Sequence, residues 1–175
     1  MLLNKLPCLD KGYVAHISTC NDQRKIRELV EEFSPQANLY PISAMTLVIK
    51  CPLFVQLYLS KFHFNILTTK QSGDLETFIP NETEIGSPET ETNRLISDDI
   101  KRTSAALLIN PKAYQSDGCD HFISQVVTPI NIYTTIIVHG TKEQWGSLIN
   151  EPLLPYPIEA FKNAIQDIYI AEWGL

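Results

Sequence analysis

The alternation of apolar and polar residues predicts several β-strands. The stretch GYVAHIS at 12–18 alternates weakly, and MTLVIK at 45–50 is the best strand candidate in the first half of the chain. Residues 64–68 again place every second side chain on one face, as in a strand. A β-rich run, TPINIYTTIIVHG, extends over 128–140. We therefore expect a small sheet.

Apolar residues at helical spacing predict the helices. Pro52 fits a first helical position, where its missing N–H costs nothing. The residues after it are apolar nearly all round, so this helix should be buried. Thr141 and Gln144 match a capping box, and Asn110-Pro111 should end the helix that starts at Ser97. The predicted helices span 22–33, 52–59, 97–109, 120–127, 141–150 and a last helix from Pro157 that buries Ile158, Phe161, Ile165 and Ile168.

Residues 71–99 have a different composition from the rest of the chain. They contain eight acidic residues and one arginine, together with two prolines and two glycines. Such a composition is typical of exposed segments that do not build a core. We interpret 71–99 as an acidic exposed loop or lid, with its carboxylates on a solvated surface and not in a metal site.

Helices and strands follow one another without a regular βα alternation, which indicates an α+β fold. The 175 residues are enough for one domain with a substantial core, so we expect a single domain over 1–175.

Charge and composition exclude several classes of function. The formal net charge of −6 argues against a DNA or RNA surface, which needs a basic stripe. No apolar run is long enough to span a membrane, and the N-terminus lacks a signal-peptide pattern, so a cytoplasmic protein is expected. The four cysteines form no C-x-x-C pair. Cys119 and His121, with His16 and Cys20, give only a weak zinc pattern, and no metal is expected.

Three stretches in order resemble one enzyme family. They are MTLVIKCPLFV at 45–55, VVTPINIYTTIIVHGTKEQWGSLI at 126–149 and YPIEAFKNAIQDIY at 156–169. These stretches are similar to the flavin-dependent thymidylate synthases, the ThyX family. The resemblance implies the α+β ThyX-like fold, with mixed helices around a small central sheet, and a homotetramer. The family uses FAD and NADPH to methylate dUMP with methylenetetrahydrofolate.

The signature of the ThyX family is largely replaced in this chain. Its Arg-His-Arg falls on Lys61, Phe62 and His63, so positive charge remains at Lys61 and in part at His63. The resemblance implies that Lys61, His63 and His139 would contact FAD. Lys61 and His63 have an alternative interpretation as cations at a helix C-terminus, and His139 has one as a surface residue at a strand end.

Further family arginines are missing downstream. The position of one such arginine aligns with Gln125, and the position of the nucleotide-orienting arginine aligns near Glu151. A one-residue shift of the signature would recover Ser72, so Ser72 and Gln125 are the candidates for substrate binding. Three lost charge-assisted groups cost on the order of 5–9 kcal/mol at roughly 1.5–3 kcal/mol each. We therefore assign no catalytic residue.

Three hypotheses follow from this pattern. The first is a catalytically silent homologue retained as an oligomeric binding or regulatory protein. The second is an active flavin- or nucleotide-dependent enzyme with a rebuilt site acting on dUMP or another pyrimidine nucleotide. The third is an unrelated α+β binding module.

Overall fold

The described strands form a single antiparallel sheet. The structure, a computed structural model, describes residues 4–20, 43–69, 75–85, 88–117 and 129–174. Within these ranges the sheet has five strands in the order β1-β2-β3-β5-β4. The strands are β1 Lys5–Cys8, β2 Gly12–Cys20, β3 Ala44–Pro52, β4 Asn65–Thr68 and β5 Tyr133–Thr141.

Helices follow the strands without a βα repeat, which confirms the α+β class predicted from the sequence. The helices are α1 Leu53–Leu59, continued by a 3-10 turn at Ser60–Phe62, α2 Glu82–Ile85, α3 Thr90–Ser116, α4 Lys142–Ile149 and α5 Tyr156–Trp173. None of the helices in the described ranges is long and apolar enough to cross a membrane.

The core lies between one face of the sheet and helices α1, α4 and α5. Alternate residues of β3 and β5 face these helices because successive side chains of a strand point to opposite faces. The buried core residues on these elements include Leu47, Ile49, Ile136, Val138, Val55, Trp145, Phe161 and Ile165.

Several predicted elements are confirmed. The alternating stretches 12–18 and 45–50 lie in β2 and β3. Thr141 and Gln144 form the predicted capping box at the start of α4, with both reciprocal hydrogen bonds present. The four residues predicted to be buried on the last helix are all buried in α5.

The predicted complete burial of the helix after Pro52 is wrong. Val55 and Leu59 are buried in α1, whereas Leu57 is 56% exposed. This helix has only seven residues, and only one of its faces contacts β3, β5 and α5. A helix that is apolar nearly all round can therefore still leave one of its apolar side chains exposed.

The acidic segment 71–99 contains helix where a loop was expected. Asn81 accepts hydrogen bonds from the backbone N–H groups of Thr83 and Glu84, while the Glu84 carboxylate accepts one from the Asn81 N–H. This reciprocal cap starts α2. Its role as a lid stays a prediction.

Helix α3 is longer at both ends than the sequence predicts. It begins at Thr90, seven residues before the expected start, and continues through Asn110-Pro111 to Ser116. A proline inside a helix removes one hydrogen bond and does not by itself end a helix whose other residues remain paired. The predicted helices at 22–33 and 120–127 lie outside the described residues.

Candidate functional site

The candidate site lies where helix α1 ends, at the position of the degraded signature. Four residues from different elements meet there: Tyr58 of α1, Lys61 of the 3-10 turn, Glu151 of the segment between α4 and α5, and Lys162 of α5. We call these four residues the Tyr58 cluster. The structure thus brings Lys61 and Glu151 to one place, although ninety residues separate them in the chain.

Lys61 packs on the face of an aromatic ring. Its Nζ lies 4.2 Å from the centroid of the Tyr58 ring, three residues earlier in the chain. An ammonium group at this distance is attracted by the negative face of the ring. Lys61 therefore has a partner within its own chain.

Tyr58 links Lys61 to a carboxylate. The pKa of Tyr58 is raised above its ordinary value by burial first, and then by the charge and the acceptor oxygens of the nearby Glu151 carboxylate. The Nζ of Lys162 donates a hydrogen bond of 2.8 Å to the backbone carbonyl of Glu151. Lys162 therefore holds the backbone of Glu151 at the cluster, where its carboxylate lies near Tyr58.

Phe62, at the middle position of the signature, takes part in packing. Its ring centroid lies 5.9 Å from that of Tyr58 and 6.0 Å from that of Phe64. Phe64 in turn lies 4.2 Å from the ring of the fully buried Trp145. This row of rings anchors the Tyr58 cluster to the core, and the Phe62 side chain has no hydrogen-bond donor to offer a ligand.

His63 ends the 3-10 turn in a left-handed conformation, with φ 56° and ψ 30°. Its N–H donates to the Ser60 carbonyl, and its own carbonyl accepts a hydrogen bond of 2.8 Å from the Gln144 side chain. These backbone contacts agree with the alternative interpretation of His63 as a capping residue. The imidazole itself is exposed.

His139 lies on the face of the sheet opposite the core. Its neighbours Val138 and Gly140 face the core, while His139 is exposed, paired in register with Thr46 and Asn65. Its Nδ1 lies 2.9 Å from the Thr46 Oγ1. No contact among the described residues joins His139 to Lys61 or His63. Ser72 and Gln125, the predicted substrate contacts, lie outside the described residues.

The retained Pro-x-Asn-x-Tyr-Thr residues join separate segments of the fold. The Asn131 side chain donates hydrogen bonds of 2.9 Å to the Phe78 carbonyl and to the Ser104 hydroxyl. The buried Tyr133 hydroxyl donates to the Asp10 carboxylate. These contacts are structural.

Sequence reasoning missed the roles of Tyr58 and Lys162. The three-residue spacing of Tyr58 and Lys61 was a usable signal, because side chains at that spacing meet on a helical surface. The sequence contains no comparable signal that Tyr58 lies near Glu151 and Lys162, because these residues are distant in the chain.

The described residues of the Tyr58 cluster do not fit the cofactor and phosphate set of the ThyX family. They supply a lysine on the face of a tyrosine ring, a second lysine that holds a backbone carbonyl and a glutamate, in place of arginines that donate pairs of hydrogen bonds. The described residues also contain no group of three or more His, Cys, Asp or Glu side chains placed to hold a metal ion. Cys119 and His121 lie outside them.

Comparisons with known proteins identify the fold. No protein-family model and no curated protein sequence matches this chain. The solved structure of the UMP/dUMP methylase PolB from Streptomyces cacaoi bound with 5-Br dUMP superposes with a TM-score of 0.69 at 11% identity, covering 95% of this chain and 93% of PolB. PolB bound with 5-Br UMP gives a TM-score of 0.68 at 12% identity, with coverages of 94% and 92%. The chain therefore shares its fold with PolB, which is consistent with the expected ThyX-like fold.

Proposed function

We propose that this chain is a non-catalytic binding protein built on the fold of the dUMP methylases. The observation that carries the proposal is the Glu151 carboxylate, which lies beside Tyr58 and Lys162 where the ThyX resemblance implies a nucleotide-orienting arginine. The chain would keep the scaffold of a nucleotide enzyme without its anion-binding groups.

Electrostatics favour this function over flavin-dependent methyl transfer. A carboxylate and a phosphate about 4 Å apart repel each other by roughly 1–4 kcal/mol near a protein surface. The lost arginine contacts add on the order of 5–9 kcal/mol at about 1.5–3 kcal/mol each. Every 1.4 kcal/mol is about a factor of ten in affinity, so the two effects together remove useful phosphate binding.

One observation favours a second function, a pyrimidine-nucleotide enzyme with a rebuilt site. Lys61 and Lys162 come from different elements and both belong to the Tyr58 cluster. Two ammonium groups would compensate in part for the missing arginines if Glu151 turned away from the phosphate. The substrate would then be dUMP or a related pyrimidine nucleotide.

Calorimetric titration with dUMP, UMP and FAD tests the proposal. We expect no binding of any of them by the wild-type protein at millimolar concentration. Glu151→Arg should gain dUMP affinity by at least about tenfold, because it replaces a repulsive charge with a bidentate donor. Glu151→Gln is the matched control, since it removes the charge and keeps an acceptor for Tyr58; its gain should be smaller.

Micromolar binding of dUMP or FAD by the wild-type protein would overturn the first function in favour of the second. In that case Lys61→Ala and Lys162→Ala should each weaken dUMP binding. If Glu151→Arg folds normally and gains no affinity, the Tyr58 cluster does not lie at a phosphate position.

A further inference from the structure

A second cluster of polar side chains lies between β2 and the last turn of α5. The His16 Nε2 lies 2.7 Å from the Thr19 Oγ1. The His16 Nδ1 lies 3.6 Å from a carboxylate oxygen of Glu172. We call these three residues the His16 cluster. None of them belongs to the Tyr58 cluster, and the function proposed above uses none of them.

An irregularity in β2 brings His16 and Thr19 together. The pairing of β2 with β3 shifts between His16 and Ser18, as it does at a β-bulge. His16 pairs with Leu47 and Thr19 with Met45, so residues three apart on β2 lie opposite residues only two apart on β3. Residues two apart on a strand share a face, and both of these β3 residues are buried in the core. The bulge therefore places the imidazole and the hydroxyl side by side on the core face of the sheet.

The His16 cluster borders a cavity of about 360 Å³, a volume within the range of small-molecule sites. The wall of the cavity combines three aliphatic side chains with His16, Glu172, Asp167 and the amide of Asn4. Thr19 lies one hydrogen bond from this wall, through His16. Two carboxylates in the wall disfavour an anionic ligand, so a small uncharged molecule fits the cavity better.

Glu172 determines which nitrogen of His16 carries the proton. A carboxylate only accepts hydrogen bonds, so its position beside Nδ1 favours the tautomer that is protonated there. The Nε2 lone pair then accepts from the Thr19 hydroxyl. An imidazole between a carboxylate and an alcohol is the arrangement that makes a serine or threonine hydroxyl nucleophilic.

We propose that Thr19 is a covalent acyl-acceptor site for a small activated carboxylic ester, either an oxygen ester or a thioester. The Thr19 Oγ1 forms a bond to the acyl carbon while its proton moves to the His16 Nε2. The bond from the acyl carbon to the donor's oxygen or sulfur then breaks, and the alcohol or thiol leaves with the proton from His16. The Asn4 amide supplies a hydrogen-bond donor for the carbonyl oxygen in the same wall. The sum is an acyl transfer with no change of oxidation state.

The acyl group should remain on Thr19. Acylation expels a thiolate or phenolate, whereas hydrolysis of the product must expel the much more basic threonine alkoxide. The reaction is therefore a single covalent capture per chain, without turnover. This inference goes beyond the proposed function and does not depend on it. Glu151→Arg should be acylated like the wild type, so the failure of one proposal is distinguishable from the failure of the other.

Reaction with p-nitrophenyl acetate, followed by peptide mass spectrometry, tests the site. We expect the wild-type protein to release a burst of a single equivalent of p-nitrophenolate and to carry a single acetyl group, on Thr19. Thr19→Val has nearly the same shape and should lose both signals, whereas Thr19→Ser should keep both. His16→Ala should slow the burst about a hundredfold or more, because it removes the general base.

Glu172 is a positioning residue in this scheme. Glu172→Gln should lower the limiting rate of acylation at least about tenfold and leave the half-saturating ester concentration unchanged. The reason is that the variant keeps the shape of the cavity wall and removes the charge that orients the imidazole. A merely structural contact between Glu172 and His16 would change stability and leave this rate as it is.

Two control variants should react like the wild type. Ser18→Ala removes the neighbouring hydroxyl, which is exposed and paired with Thr46. His139→Ala removes an exposed imidazole of the kind that reacts with esters by itself. The absence of a burst, or acetylation of other residues at the same rate in the wild type and in Thr19→Val, would overturn the proposal. So would a burst that persists in His16→Ala or disappears in Thr19→Ser, in variants with unchanged circular dichroism.

Discussion

At the scale of single residues, three buried side chains with ionisable protons have raised pKa values. Burial raises the pKa of the Cys8 thiol from 9.0 to about 12, and burial raises that of Cys51 as well. The pKa of Tyr133 is raised by burial and by its hydrogen bond to Asp10. All three groups are neutral when protonated, so the folded state holds these protons more tightly than the unfolded state.

These shifts predict that stability falls in alkaline solution. The unfolded chain releases its cysteine and tyrosine protons from about pH 9 upward, whereas the folded chain retains them. Their contribution is therefore complete below about pH 9 and is lost as the pH rises towards the folded-state pKa values. Urea unfolding at pH 7, 8, 9 and 10 measures this; a free energy of unfolding that stays constant from pH 8 to 10 would contradict the prediction.

Tyr133→Phe isolates one of these groups. The variant removes the hydrogen bond to a carboxylate and should lower the free energy of unfolding by about 1.5–3 kcal/mol at pH 7. Its stability should also fall less steeply above pH 10. Tyr13→Phe is the control, because Tyr13 is a half-buried tyrosine on β2 of the same sheet; its unfolding should match the wild type to within about 0.5 kcal/mol.

At the scale of elements, the end of β5 packs closely against the aromatic row. Gly140 faces the core where Phe64 and Trp145 stack. A Cβ at this position would lie 2.6 Å from the Phe64 Cε1 and 3.1 Å from the Trp145 Nε1. The glycine is therefore required by the close approach of a ring.

Two glycine substitutions six residues apart test this packing. Gly140→Ala should destabilise the protein by about 1–3 kcal/mol, because the added methyl overpacks the core. In Gly146→Ala the nearest neighbour of the new Cβ is the Tyr169 hydroxyl oxygen at 3.6 Å, so this substitution inside α4 should be neutral or stabilising by up to about 1 kcal/mol. Thermal unfolding compares them; equal effects of the two variants would show that the packing around Gly140 relaxes freely.

At the scale of the whole molecule, hydrogen bonds of Asn131 join α3 to the segment before β5. Asn131, two residues before β5, accepts a hydrogen bond from the Phe78 N–H and donates to the Phe78 carbonyl and to Ser104 of α3. One side chain thus joins three segments that are distant in the chain.

Asn131→Ala should loosen these segments without unfolding the sheet. Losing the contacts and leaving Ser104 without this partner costs about 1–3 kcal/mol, equivalent to roughly ten- to hundredfold faster amide exchange. Hydrogen exchange by mass spectrometry should show the increase at 75–80 and in α3, and not in β3. Asn65→Ala, at an exposed position of β4, should leave exchange unchanged in all three regions. Uniformly faster exchange in Asn131→Ala would mean that the fold opens as one unit.

Local sequence patterns predicted much of this fold and little of its site. Strands β2 and β3, the capping box at Thr141 and the buried face of α5 were all predicted, because each depends on residues only a few positions apart. The wrong predictions were also local. Pro111 suggested a helix end, but the helix continues to Ser116. The Asn81 cap within the acidic segment was not predicted.

The sequence by itself determined the α+β class and the strands with one buried face. Only the tertiary structure decided that β5 lies between β3 and β4, that Tyr58 and Glu151 lie together, and that His139 lies on the other face of the sheet from the core. The physical reason is range: periodicity and caps act over a few residues, whereas strand order and side-chain partners depend on which distant segments bury apolar surface together.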